Sequence, residues 1–159
     1  MKTLFLFPNK FKTIGWILFV PAIMLTIIIS ILEINTDEIL VINVVSILET
    51  SISLKSSFFS IIKNGVVDEI LTITMIIGGL LIGFSKLKNE DEYISKIRYE
   101  SLVWATYLNY AIILFLTVFM YGMVYLNVLF YNMFTLLLFF IIRFHYMIYK
   151  LNKSSNDDE

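Results

Sequence analysis

The chain has 159 residues, of which 58% are apolar and only 16% charged, and its mean hydropathy is +0.84. A soluble domain of this size is nearer 45–50% apolar with about 25% charged residues, so most of these side chains need lipid as their solvent. A net charge of −1 supplies no field for nucleic acid, and the absence of cysteine excludes disulfides, thiolate metal sites and cysteine nucleophiles.

The first uncharged stretch runs between Lys12 and Glu33, and residues 14–32 form a predominantly apolar run long enough for one helical crossing. Its basic start resembles a signal peptide, but the run is long for one and no small-x-small cleavage site follows, so the span is expected to stay uncleaved. Trp16 suits the interfacial belt, and Pro21 removes a backbone donor where a kink would form. A second span is expected over 66–85, with Asp68 and Glu69 in its first turn. Residues 101–142 carry no formal charge. As one helix they would reach about 63 Å, roughly twice the hydrocarbon core, so the chain must fold back. The turn is expected at Gly122–Asn127, with spans at 102–122 and 128–149. The runs are continuously apolar rather than alternating, which argues against a barrel. The fold class that follows is all-α: a four-transmembrane-helix bundle, one membrane domain over 1–153 with an acidic tail at 154–159.

Ten of the twelve Lys and Arg residues fall on one side of these spans: Lys2, Lys10, Lys12, Lys86, Lys88, Lys96, Arg98, Arg143, Lys150 and Lys153. Only Lys55 and Lys63 fall on the other. The positive-inside rule therefore places both termini in the cytosol of a bacterial inner membrane.

The outer loop, 33–65, contains the β-branched stretch Ile39–Leu48, a candidate short strand. Thr50–Ser60 is rich in hydroxyls, including Ser51, Ser53, Ser56 and Ser57, and residues 58–62 are apolar enough to lie on the bilayer surface. The loop reads as a tethered segment shielding helix ends, or as a sensing or docking lid. The inner stem, 86–101, starts like a helix, with Asn89 as cap and Glu90, Asp91 and Glu92 near its positive end. Lys96 is four residues from both Glu92 and Glu100, while Ile94 and Ile97 occupy another face. Consecutive helical carboxylates point apart, so they do not form a metal site. The stem is either solvated or a docking surface for a protein.

Gly79 and Gly83 form a small-xxx-small pair that admits a neighbouring helix. The candidate polar cluster comprises Glu100, Tyr107, Asn109, Asn132, Thr135, Arg143 and His145. A hairpin turning near 124–125 sets at equal depth residues whose numbers sum to about 249, at a constant rise per residue. Arg143 is then level with Thr106 and Tyr107 and is expected to bond to Glu100, or to groups near Tyr107 and Asn109. The alternative is snorkelling to the headgroups. No nucleophile–base set, His-Glu-x-x-His motif, phosphate loop or mid-span carboxylate occurs, so neither catalysis nor a cofactor or metal is expected.

Residues 7–16 (Phe7-Pro8-Asn9-Lys10-Phe11-Lys12-Thr13-Ile14-Gly15-Trp16), 92–105 with Leu108-Asn109-Tyr110, and Asn132-Met133-Phe134-Thr135 running into Ile142-Arg143-Phe144 carry a resemblance over nearly the whole chain. The chain resembles a family of small, uncharacterised four-helix membrane proteins from Bacteroidota. The resemblance implies architecture and no activity.

Two functions follow as expectations. The first is a non-enzymatic accessory, sensing or scaffolding subunit in the lipid bilayer, meeting a protein partner through the 88–101 stem or helix faces. The second is a small transporter or channel-like homo-oligomer with a polar path through Asn109, Asn132, Thr135 and Arg143.

Overall fold

The computed structural model describes residues 5–50, 56–88 and 90–157. Lys2, Ser51, Ser53, Lys55, Asn89 and the last two residues of the acidic tail lie outside the described residues. Four helices are present among them: α1 Lys10–Ile31, α2 Val67–Gly83, α3 Glu92–Phe119 and α4 Met123–Asp157. Between α1 and α2 come a single 3₁₀ turn, Thr36–Glu38, and two strands, β1 Val41–Thr50 and β2 Ser56–Gly65. Three of the helices, α1, α3 and α4, are long and apolar enough to cross a membrane. Helix α2 has 17 residues.

The hairpin corrects the all-α expectation. β1 covers most of the stretch read as a strand, but β2 takes up residues expected to lie flat on a bilayer. The antiparallel register runs from Val41↔Gly65 through Val45↔Ile61 to Thr50↔Ser56. Both strands carry β-branched residues that suit a pleated surface, and pairing satisfies backbone groups that an irregular loop would leave open. Phe59 has a left-handed φ of 57°, and the pairing skips that position. Asn64 then donates to Glu69 Oε1 at 2.7 Å, tying the end of β2 to the first turn of α2.

The turn between α3 and α4 also differs from expectation. It lies at Met120–Gly122, and Asn127 is inside α4. Met120 is extended, with φ −118° and ψ 138°, and Gly122 takes φ +70°, where a residue without Cβ is least strained. Asn127 has no such part to play. With so short a link α3 and α4 pack antiparallel, and the hydroxyls of Thr117 and Tyr125 share a 2.9 Å hydrogen bond across the turn. Helix α4 continues past Lys153 to Asp157, so the acidic tail begins as helix.

The chain comprises two compact units: Met1–Phe19 with Ile76–Glu159, and Val20–Met75. The second contains the hairpin. The first has its core where Ile94, Ile97 and Ala105 of α3 meet Phe140 and Phe144 of α4. Phe140 and Phe144 are one turn apart and stack at 6.1 Å, while Phe84 packs on Phe140 at 5.3 Å. Ala105 is fully buried, and its small side chain lets the two helices approach.

Three glycines of α2 face two neighbours. A Cβ on Gly78 would come within 2.9 Å of the Phe19 backbone, and one on Gly15 within 2.9 Å of the Gly78 carbonyl. Gly15 and Gly78 therefore form a backbone-to-backbone crossing of α1 and α2. Gly79 sits under the Leu137 side chain and Gly83 under the Phe140 ring. In lipid, helices gain little from excluding water, so such close van der Waals fits supply much of their association.

A ranking follows from what each glycine touches. Gly15→Ala and Gly78→Ala meet rigid backbone and should each lower stability in detergent by about 1–3 kcal/mol, the usual overpacking cost. Gly79→Ala meets the end of a flexible leucine and should cost less. Thermal melting of the three variants checks the order, and an equal effect at all three would refute it.

Candidate functional site

Polar groups of the first unit gather in three places. The first forms where α2 gives way to α3. Asp91 caps α3: its backbone is extended, and Oδ1 accepts from the Ile94 amide at 2.7 Å. The cap frees Glu90 to turn inward. Its carboxylate accepts from Arg98 Nη1 at 2.6 Å and Nη2 at 3.2 Å, and from the Leu87 amide at 2.8 Å. Arg98 is 6% exposed. Its Nη2 also donates to the Ser85 carbonyl at 3.2 Å, and its guanidinium lies 4.9 Å from the centre of the Phe144 ring. Ser85 is itself fully buried, with Oγ donating to the Leu81 carbonyl. Phe7 pairs with this segment in a parallel bridge: its amide donates to Phe84 O and its carbonyl accepts from Lys86 N, both at 2.9 Å. Asn9 adds a bond to the Lys86 carbonyl at 2.7 Å.

By sequence, Glu90 belongs with the charges at the helix start and Arg98 with the cations expected on the cytosolic side. Nothing in the sequence pairs the two. Their spacing of eight residues is beyond the i,i+4 reach of a helix surface. The pair forms because Glu90 precedes the helix. The one signal in the sequence is that Arg98 follows Ile94 and Ile97 on the face that turns inward.

The second place is midway along the α3–α4 seam. Asn109 and Asn132 are buried and exchange amide hydrogen bonds, Nδ2 of Asn109 to Oδ1 of Asn132 at 3.4 Å and the reverse at 3.3 Å. Thr135 Oγ1 is 2.5 Å from Asn109 Oδ1 and 2.9 Å from the Asn132 carbonyl. The three side chains thus answer one another.

The third place is two to three turns further along α4. Arg143 does not bond to Glu100, Tyr107 or Asn109. Its guanidinium lies over Trp104, 4.6 Å from the ring centre. The turn at Met120–Gly122 sets at equal depth residues whose numbers sum to about 242, so Arg143 starts level with Tyr99 and Glu100, and its side chain leans back towards the turn to reach Trp104. Glu100 pairs instead with Lys96 on the α3 surface, at 3.9 Å. Arg143, Glu100 and Tyr107 still border one groove, without a bond among them. His145 stands apart: Nδ1 bonds to the Ile141 carbonyl at 2.9 Å, and the ring meets Trp16 edge-on at 5.5 Å. The expected cluster is therefore three separate arrangements. Among the described residues no group of three His, Cys, Asp or Glu side chains could hold a metal ion.

The contrast between the two Arg–Glu combinations is testable. Breaking one partner of a buried pair costs about 3–5 kcal/mol, because the other charge is left desolvated. Glu90→Gln and Arg98→Gln should each destabilise strongly, and the double variant should lose less than their sum. Glu100→Gln and Arg143→Gln should be additive. Two double-mutant cycles on melting temperature check both statements. No family model, curated protein or solved structure matches the chain.

Proposed function

We propose that the protein is a multi-pass accessory subunit of a bacterial inner membrane, with four spans, both termini in the cytosol and no catalytic activity of its own. Three apolar helices support the membrane assignment. Helix α2 reaches about 26 Å at 1.5 Å per residue, against a core of about 30 Å. Its hydrogen-bond ladder is extended by Ile70 N to Val66 O at 3.1 Å and Phe84 N to Leu80 O at 2.9 Å, which brings residues 66–84 to about 28 Å. The cation asymmetry supports the orientation. The resemblance to a Bacteroidota family of four-helix membrane proteins fits the same architecture.

The observation that carries the accessory reading is the closure of the Asn109–Asn132–Thr135 set. A transport path needs polar groups that offer free donors and acceptors to a cargo. Here they bond to one another between two helices, as polar groups do when they hold a seam together. Outward-facing Tyr93, Lys96, Tyr99 and Glu100 leave the stem a surface for a partner protein.

Topology is checked with reporter fusions. A reporter active only in the periplasm should be silent at the C-terminus and active in the loop near residue 53. The reverse result would overturn the orientation. A photo-crosslinker replacing Tyr93 should capture a specific protein other than this chain in native membranes. Crosslinks to this chain alone would favour the oligomeric pore.

A further inference from the structure

Arg143 is a cation that the protein leaves without a counter-ion. Among the described residues no ion pair or hydrogen bond holds it, and its Nε is buried without an acceptor. The ring of Trp104 supports the guanidinium from one side and offers no hydrogen-bond acceptor in return. Beside it is an open groove of about 340 Å³, lined by Tyr99, Glu100, Val103, Trp104, Tyr107 and Arg143. Tyr99 and Tyr107 are 68% and 74% exposed, so their hydroxyls are free to meet a ligand from outside the bundle. The carboxylate in the groove, Glu100, is offset by Lys96. Lys150 lies seven residues beyond Arg143 and so on the same side of α4.

Depth identifies the ligand. Arg143 is 20 residues beyond Met123, the first residue of α4, so about 30 Å along the helix, and a turn at one edge of a core about 30 Å thick puts it at the opposite headgroup level. We infer that the groove binds the phosphate of an anionic phospholipid headgroup, with the Arg143 Nη groups donating to phosphate oxygens and the acyl chains running along Val103 and Tyr107. A zwitterionic lipid offers the same phosphate, but its ammonium is repelled by Arg143 and Lys150. The inference rests on the membrane reading given above.

The test uses the full chain with Trp16→Phe, which leaves Trp104 as the sole tryptophan. The protein is reconstituted in phosphatidylcholine vesicles that contain acyl-brominated phosphatidylglycerol or acyl-brominated phosphatidylcholine, and quenching of Trp104 is measured. Brominated phosphatidylglycerol should quench at an about fivefold lower mole fraction, the effect of one basic side chain at an anionic surface. Arg143→Gln should make the two lipids equivalent, and Glu100→Gln should raise the preference. Excess inorganic phosphate should leave it intact. Equal quenching in the Trp16→Phe protein, or an unchanged preference in Arg143→Gln, would overturn the site. So would loss of the preference in phosphate, which would reassign the groove to a free anion. Should Arg143→Gln fail to reconstitute, Glu100→Gln decides, and no gain there overturns the site. Quenching by neither lipid would instead remove the membrane reading on which the site stands.

Discussion

A guanidinium buried against a phenylalanine ring organises the end of the bundle where α2 passes into α3. Arg98 has little access to water, so its charge needs another answer, and Glu90 supplies it through a two-pronged pair. Removing both charges from water is costly, and the geometry has to be good to offset it. Two further bonds support the pair: Glu90 accepts from the Leu87 amide and Arg98 donates to the Ser85 carbonyl, while Arg98 Nε is buried without an acceptor. Because Ser85 and its neighbours also pair with Phe7, one ion pair holds the N-terminal segment, the end of α2 and the start of α3 in register, over a ring belonging to α4.

Away from that pair, association depends on shape. Glycines at Gly15 and Gly78 allow two backbones to touch, and Gly79 and Gly83 accept the side chains of α4. Ala105 does the same for α3. Polar groups within the seam bond to each other rather than to anything passing between the helices. Such a bundle is suited to holding a fixed shape, which fits the accessory role proposed above. At the surface remain the aromatic and charged outer face of the stem and the groove beside Arg143.

Much of the helical architecture was legible because lipid imposes a length rule on uncharged runs. The positions of α1, α3 and α4 follow from gaps between charges, and the fold-back within 101–142 follows from the rise per residue. The turn was misplaced because two candidate turn residues, Gly122 and Asn127, bracket a short segment. Local sequence does not say which of them takes a left-handed φ. The second strand was missed because Phe58–Ile62 is apolar in the way that both a strand and an interfacial segment are. What separates them is the register offered by β1, a partner more than ten residues away.

Composition and charge spacing by themselves determined that this chain carries uncharged apolar runs, three of which form helices long enough to cross a membrane. They also determined the absence of thiol chemistry and of recognisable catalytic motifs. Tertiary structure alone decided which charges meet. Arg98 and Glu90 are too far apart for a helical pair and come together only because Asp91, between them, starts the helix. Arg143 and Glu100 looked like partners, and the three-residue turn brings them to nearly one depth, yet Arg143 lies over Trp104 and Glu100 turns to Lys96. The physical reason is common to both cases. Helix periodicity places a side chain on a face, whereas its partner depends on where neighbouring helices begin, end and slide, and those offsets come from packing.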